Sequence, residues 1–255
     1  MNQMPPTNQM PRMRTKRVIA QTKFETISVL RNGEQLLLSL ILPLGMLMFL
    51  AKTPLLGALG LVPEGTDPLT VALPGALSLC LASTAFTGQA IATAFDRRYG
   101  VLRQLATTPL GANGLILGKL GAVITVVIIQ FLLAFAIALG LGFDGPVNAF
   151  ALILTTLLGT AALLSLGLLM AGTVRAEATL AGANLIWVLM AGVGGLVIAH
   201  PGEWGTVVGY LPSGALGEAM RAAVGGAGFD IKALIVLLVW GLLGTLAARR
   251  WFRFE

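Results

Sequence analysis

The stretch FDRRYGVLRQLATTP, residues 95–109, separates two long apolar segments of this chain. Charged side chains such as Arg103 alternate in it with apolar ones such as Val101 and Leu102, and a helix-stopping proline, Pro109, ends the pattern. A turn that only joined two membrane crossings would need no such apolar residues. The stretch therefore predicts two separate crossings joined by a short charged helix, which contacts a partner outside the membrane.

The composition places the chain in a lipid bilayer. Of its 255 residues, 56% are hydrophobic and only 11% are charged, and the mean hydropathy is +0.86. A helix needs ~20 mainly apolar residues to cross the hydrocarbon. Such runs predict an all-α polytopic fold with six transmembrane helices in one domain, residues 34–255, with spans at residues 36–51, 69–95, 115–141, 150–173, 180–199 and 231–248.

The basic residues predict the orientation of these spans. With six crossings, 14 of the 17 lysines and arginines fall on the side of the N-terminus, and only Lys52, Arg221 and Lys232 fall on the other side. Basic residues accumulate on the cytoplasmic side of membrane proteins. We therefore expect both termini in the cytoplasm, and the formal net charge of +6 reflects topology rather than nucleic-acid binding.

Two segments precede the first span. Residues 1–15 contain three prolines and show no apolar period, which predicts disorder. In residues 16–33 the apolar side chains, Phe24 and Ile27 among them, share one helical face, which predicts an amphipathic helix lying in the membrane interface. Gly33 is the expected corner where the chain turns into the bilayer.

Residues 200–230 are too many for a tight turn between two spans. A helix-compatible run follows Pro212 and ends at Gly225, which predicts one or two short helices that enter the membrane without crossing it. Irregular backbone at that depth must be covered by protein. The alternative is an ordinary solvated loop. The candidate residues of this re-entrant hairpin are Pro212, Ser213, Glu218 and Arg221, of which the last two have the spacing of an ion pair.

Catalytic chemistry is not predicted. A charge at the centre of a membrane helix costs ~2.5–3.5 kcal/mol and persists only for function, and the spans contain almost none. This pattern argues against a proton relay and against a membrane enzyme. The single histidine, His200, has no second metal ligand at helix spacing, so no metal site is expected. The sequence also lacks the phosphate-binding loop of ATPases, so any ATP would be bound by another polypeptide.

Uncharged polar residues do occur in the spans, and two interpretations stay open. They could line a substrate cavity that is mostly apolar with a few hydrogen-bonding points. They could instead form hydrogen bonds between helices. The cavity candidates are Gln89, Gln130, Asn184 and Trp187.

The order of these features resembles an ABC transporter permease of the type-2 exporter family. Residues 95–109 are similar to that family's charged cluster followed by Gly100, a Leu-rich turn and a Thr-Pro end. The segment Tyr210-Leu211-Pro212, with residues 219–221, is similar to its extracellular helical hairpin. The family's frequent glutamate is replaced here by Asp96 and two arginines, which resembles the drug-resistance branch.

The resemblance implies partners and site residues. It implies two permease subunits, identical or related, joined to two cytoplasmic ABC ATPase subunits that carry ATP and Mg²⁺, whereas this chain binds no cofactor. The helix from residue 96 to 105 would fit a groove on the ATPase, with apolar and aromatic anchors and orienting arginines. The implied coupling residues are Asp96, Arg97, Arg98, Tyr99, Gly100, Val101, Leu102, Arg103 and Leu105.

The expected function is therefore ATP-driven export, with ATP hydrolysis on a separate chain. Because the candidate cavity has no fixed charge, the expected cargo is an amphiphilic drug-like or lipid-linked molecule. The expected location is the plasma membrane of a bacterium. The alternative is a polytopic membrane scaffold or enzyme that recruits a cytoplasmic protein without transport.

Overall fold

The computed structural model describes residues 10–58, 60, 67–106 and 111–252 of the chain. Every regular element in these ranges is a helix, which confirms the predicted all-α class. The helices are α1 Met10–Arg31, α2 Gly33–Lys52, α3 Leu55–Ala58, α4 Leu69–Arg98, α5 Val101–Ala106, α6 Gly111–Gly140, α7 Ala149–Thr173, α8 Ala176–Gly192, α9 Gly202–Val208, α10 Pro212–Val224 and α11 Ile231–Trp251.

Within the described ranges, five helices are long and apolar enough to cross a membrane: α2, α4, α6, α7 and α11. They coincide with five of the six predicted spans. The exception is the span predicted at residues 180–199, because α8 ends at Gly192 after 17 residues. At 1.5 Å per residue its length is about 25 Å, shorter than the ~30 Å hydrocarbon core. Gly195 adopts a left-handed conformation (φ +73°), which stops the helix although the composition stays apolar.

The N-terminal segment differs from the prediction in two respects. Helix α1 begins at Met10, so residues 10–15 are helical rather than disordered, whereas residues 1–9 lie outside the described part of the chain. The corner before α2 is formed by Asn32, whose side-chain oxygen accepts the backbone N–H of Gln35 at 3.2 Å. Gly33 is the first residue of α2 instead, because an asparagine cap satisfies an amide that a glycine corner would leave open.

Helix α1 packs along α6 with its polar face inward. Positions Gly118 and Gly121 of α6 lie directly against Gln21 and Thr22 of α1. The opposite face of α1 is apolar and exposed, and Phe24 lies on it. An exposed apolar face of this extent is stable only against lipid or another protein, which fits the expected interfacial helix.

Helix α4 is the centre of the bundle and is almost entirely buried. Small residues allow close packing on it: a Cβ atom at Gly167 of α7 would lie 2.8 Å from the carbonyl oxygen of Phe86. Phe86 belongs to a π-helical turn, Ser83–Gly88, and a second π-helical turn, Leu37–Ile41, lies in α2. Such widened turns interrupt the regular ladder and often mark functional positions in membrane helices.

The charged segment, residues 95–106, defines one end of the bundle, here called the basic end. The end of α7 and the end of α11 lie there as well, since Gly172 packs against Phe252. The opposite end holds residues 141–148 and 225–231. There the N–H of Asn148, the cap of α7, donates to the carbonyl oxygen of Ala223 at 2.8 Å.

Helix α10 descends from the opposite end into the bundle. Ala223 lies at the cap of α7, whereas Leu216 lies against Gly159, 11 residues further along α7. At 1.5 Å per residue this depth is about 16 Å. At the turn between α9 and α10, Trp240 Nε1 donates to the carbonyl oxygen of Tyr210 at 2.9 Å. Helix α10 therefore packs inside the helical bundle, whereas most of α9 is exposed.

The close approach of α7 to α4 gives a test of this packing. Gly167→Ala places a methyl group against the backbone of the π-helical turn, which cannot move aside as a flexible side chain would. Overpacking of this kind costs about 1–3 kcal/mol. We expect a lower melting temperature in detergent by tryptophan fluorescence. Gly45→Ala in α2 is the matched control because no atom lies within 4 Å of the added methyl group. Equal melting temperatures for both variants would contradict the close approach.

Candidate functional site

The charged segment is two helical pieces rather than the single short helix predicted. Helix α4 continues through Arg98, Tyr99 and Gly100 form a turn, and α5 begins at Val101. Gly100 has a φ of +73°, which side-chain-bearing residues rarely adopt, so the helix must break at this position. Residues 107–109, including the predicted stop at Pro109, lie outside the described part of the chain.

A buried lysine anchors the start of this segment. Lys119 of α6 is only 2% exposed, and its Nζ atom lies 3.2 Å from Glu25 Oε1 of α1 and 3.1 Å from Asp96 Oδ2 of α4. A buried ammonium group is stable only when it is paired and hydrogen-bonded, and two carboxylates meet that need. Asp96 therefore faces into the chain, where it connects the charged segment to α6 and α1.

Two arginines brace the segment against the connection between α7 and α8. Arg97 Nη2 donates to the carbonyl oxygen of Val174 at 2.6 Å. Arg98 forms an ion pair with Glu177 in the first turn of α8. These contacts connect the charged segment to the end of α7 and to the start of α8.

The exposed surface of the segment is different from the predicted one. Tyr99 is 68% exposed and stacks on Phe95, with the ring centroids 6.1 Å apart, and Arg103 is also exposed. Leu102, predicted as an anchor for the partner, is only 2% exposed, because its side chain fills the chain's own interior. Val101 is half-buried, and the side chain of Leu105 lies outside the described residues.

The four cavity candidates have different surroundings. The amide nitrogen of Gln130 on α6 donates to the carbonyl oxygen of Ser39 at 2.7 Å and to the hydroxyl of Thr84 at 2.9 Å. Ser39 and Thr84 lie in the π-helical turns of α2 and α4, so Gln130 joins three helices as the helix-bonding alternative has it.

The other three candidates are not joined in this way. Gln89 directly follows the π-helical turn of α4 and is buried, and its amide oxygen has no hydrogen-bond partner among the described residues. Asn184 and Trp187 on α8 are half-buried. Two clefts on the described surface, one beside Arg97 and one beside Phe24, are lined by none of the four.

The hairpin residues form a second polar site, at the opposite end. Pro212 and Ser213 begin α10 and are buried. The Arg221 guanidinium does not take Glu218 as its partner as expected. It donates instead to the carbonyl oxygen of Gly195 at 3.3 Å and to that of Val197 at 3.4 Å. Both acceptors lie in the irregular segment after α8, whose free carbonyl groups attract the buried cation more closely than the carboxylate does.

The comparisons with known proteins fit this architecture. The family model described as ABC-2 family transporter protein matches residues 62–250. The chain belongs to the ABC-2 transporter family. No curated protein and no solved structure matches it. An ABC-2 protein is a multi-pass membrane permease component of an ABC transporter, it partners with an ABC ATPase, and it is a transport subunit rather than the hydrolytic one.

Several contacts of the charged segment in this ABC-2 permease have no signal in the sequence. Glu25 and Lys119 are 94 positions apart, and nothing in their spacing connects them. Val174 and Glu177 lie in and after the connection between α7 and α8, and nothing in the sequence pattern links them to Arg97 and Arg98. One indication of the ionic cluster is present in the sequence: Lys119 lies near the end of a predicted span, and a charge at that depth needs a partner.

Removal of the buried lysine tests the ionic cluster of this permease. Lys119→Met leaves Glu25 and Asp96 facing each other without a cation, and we expect a loss of about 3 kcal/mol of folding stability, the low end for a broken buried pair because Asp96 is partly exposed. Thermal unfolding in detergent measures it.

The matched control for that prediction removes all three charges together. The variant Lys119→Met, Glu25→Gln, Asp96→Asn has no uncompensated charge and should recover most of the lost stability, because neutral replacements of buried ion pairs are often tolerated. If the single and the triple variant unfold at the same temperature, the three side chains do not act as one cluster.

Proposed function

We propose that this ABC-2 permease is the membrane subunit of an ATP-driven exporter, and that its charged segment receives the movement of a cytoplasmic ABC ATPase. One observation carries the proposal: the segment presents exposed aromatic and basic side chains while its base is bonded to other helices. Asp96 binds Lys119, Arg97 binds the carbonyl of Val174, and Arg98 binds Glu177. Because the outer face of the segment is exposed and its base is bonded to other helices, movement of a docked ATPase would be transmitted to those helices.

The interface would consist of the side chains that remain accessible. Tyr99 and Arg103 are of the types that carry most of the binding energy in protein interfaces. Leu102 is buried and is not accessible to the ATPase. A charge at position 102 would disrupt the interior of the permease itself, so it could not distinguish lost docking from lost folding.

The orientation and the assembly are part of the same proposal. The basic end would face the cytoplasm, as the distribution of arginines favours, in the plasma membrane of a bacterium. ATP and Mg²⁺ would bind to the ATPase pair, and a second permease subunit would complete the transport pathway. The broad exposed faces of α2 and α11, which carry many large apolar side chains, would contact lipid or that second subunit.

The cargo would be an amphiphilic molecule that leaves the cytoplasm or the inner leaflet. Apart from Lys119, which is paired at the basic end, the buried polar side chains of the spans carry no charge, and residues such as Gln89 offer only hydrogen bonds. A pathway of this kind suits molecules that are mostly apolar with few polar groups. ATP-driven closure of the ATPase pair would supply the difference in free energy between the inward-open and outward-open states.

The docking surface is tested by Tyr99→Ala combined with Arg103→Glu. Loss of one aromatic anchor and reversal of one charge should weaken binding to the co-expressed ABC ATPase by roughly 30-fold, about 2 kcal/mol. ATPase stimulation in liposomes should fall in parallel. The matched control, Arg250→Glu with Trp251→Ala, changes the same residue types at the basic end, where both are exposed on α11.

The outcomes separate docking from folding. Equal melting temperatures for the two double variants, with binding lost only at positions 99 and 103, support the proposal. Full binding and stimulation by the Tyr99 and Arg103 variant would show that the ATPase docks elsewhere. Export itself requires that inside-out vesicles accumulate an amphiphilic dye with ATP but not with an ATPase lacking its catalytic carboxylate.

A further inference from the structure

A cleft of about 730 Å³ opens at the basic end, between the end of α4 and the start of α8. Arginine side chains from two different elements line it, together with the first turn of α8. Tyr99, which the docking proposal uses, does not line this cleft, although Arg98 of the cleft lies 5.7 Å from the centroid of its ring. The lining residues are Arg97, Arg98, Arg175, Ala176, Glu177 and Ala178.

The cleft has an excess of positive charge. It holds three guanidinium groups and a single carboxylate, that of Glu177, which is paired with Arg98. Arg97 uses one of its N–H groups on the carbonyl of Val174 and keeps others. Arg175 is exposed and forms no ion pair with any side chain in the described ranges. A formal charge of about +2 therefore remains for an anion, since arginine stays protonated in proteins.

Backbone amides add to the same side of the cleft. Ala176, Glu177 and Ala178 form the first turn of α8, and no side chain of the residue before it, Arg175, caps their N–H groups. The first N–H groups of a helix have no partner within it, and they bind phosphate when they face one. Here they supplement the arginines rather than constituting the site.

An apolar stripe runs from the cleft along α8. Ala178 lines the cleft and is exposed, and the exposed positions continue at helical spacing through Ala181, Leu185, Val188 and Leu189. These side chains are covered by no other helix of the described chain. A stripe of this length beneath a basic cleft matches a molecule with an anionic head and a hydrocarbon tail.

We propose that this cleft binds the phosphate group of an anionic phospholipid, with the acyl chains against the exposed stripe of α8. Arginine suits phosphate better than lysine would, because its planar fork donates two parallel hydrogen bonds. The expected lipid is phosphatidate, because its phosphate is a monoester with a charge of about −1.5 to −2 at neutral pH, which matches the excess in the cleft. The proposed orientation puts this lipid in the cytoplasmic leaflet, but the binding itself does not depend on ATP-driven transport.

The test uses the purified full-length permease in neutral detergent, with dioctanoyl phosphatidate as the probe and native mass spectrometry as the readout. Dioctanoyl phosphatidylcholine and inorganic phosphate serve as the comparison ligands. We expect phosphatidate to bind about tenfold more tightly than phosphatidylcholine, since charge-assisted hydrogen bonds to arginine supply the difference. Inorganic phosphate should compete weakly because it makes no contact with the stripe.

Three variants give the expected signs. Arg175→Gln removes one exposed charge and should weaken phosphatidate binding about fivefold. Glu177→Gln removes the competing carboxylate, frees Arg98, and should strengthen binding by a similar factor. Arg249→Gln is the matched control, because it removes an exposed arginine at the same end but outside the cleft. All three positions are exposed, so no variant is expected to disturb folding.

Each alternative has its own signature. If inorganic phosphate competes as strongly as phosphatidate, the cleft binds free phosphate and the lipid assignment is overturned. If Arg249→Gln has the same effect as Arg175→Gln, the attraction is general surface charge, and the proposal fails. If Arg175→Gln releases the ABC ATPase while phosphatidate binding is unchanged, the cleft is part of the protein interface instead.

Discussion

The pairing of Lys119 with Glu25 and Asp96 is the interaction on which the basic end depends. It joins three elements that are distant in the sequence: the N-terminal helix, the end of the central helix and the start of the third long helix. An unpaired ammonium group buried at this position would be strongly destabilising, so the three helices must come together for the lysine to be paired. The cost of burying the charge thus makes the arrangement specific as well as cohesive.

The remaining contacts extend that joint across the bundle. Arg97 and Arg98 bind the connection between α7 and α8 and the first turn of α8. Further from this end, Gln130 joins helices through hydrogen bonds between neutral groups. The carbonyl of Ser39 is open to Gln130 because the residue four positions further along α2 is Pro43, which has no N–H to donate to it. Charge near the surface and hydrogen bonds in the interior therefore serve the same purpose, each where the surroundings permit it.

The sequence predicted what length and composition determine. Apolar runs located five long helices, and the proline and glycine pattern located the hairpin. It could not predict the early end of α8, because Gly195 breaks the helix through its backbone conformation while the composition stays apolar. Helix α5 has only six residues, too few for the apolar periodicity to show which face is buried. The pattern therefore predicts Leu102 on the exposed face, whereas it is buried. Arg221 was assigned to Glu218 by spacing, whereas the carbonyl groups that bind it come from a segment about 25 positions away.

The short helix α8 has a consequence for the cooperativity of the permease. The chain leaves the helix after Val193, and its carbonyl groups at Gly195 and Val197 accept hydrogen bonds from Arg221 of α10. Gly217 of α10 also packs against the backbone of this segment with no room for a side chain. Separating the two would expose unsatisfied peptide groups and a guanidinium in an apolar environment. We therefore expect the end of α8 and α10 to separate only together, whereas the first turn of α8 is joined through Glu177 to Arg98 at the basic end.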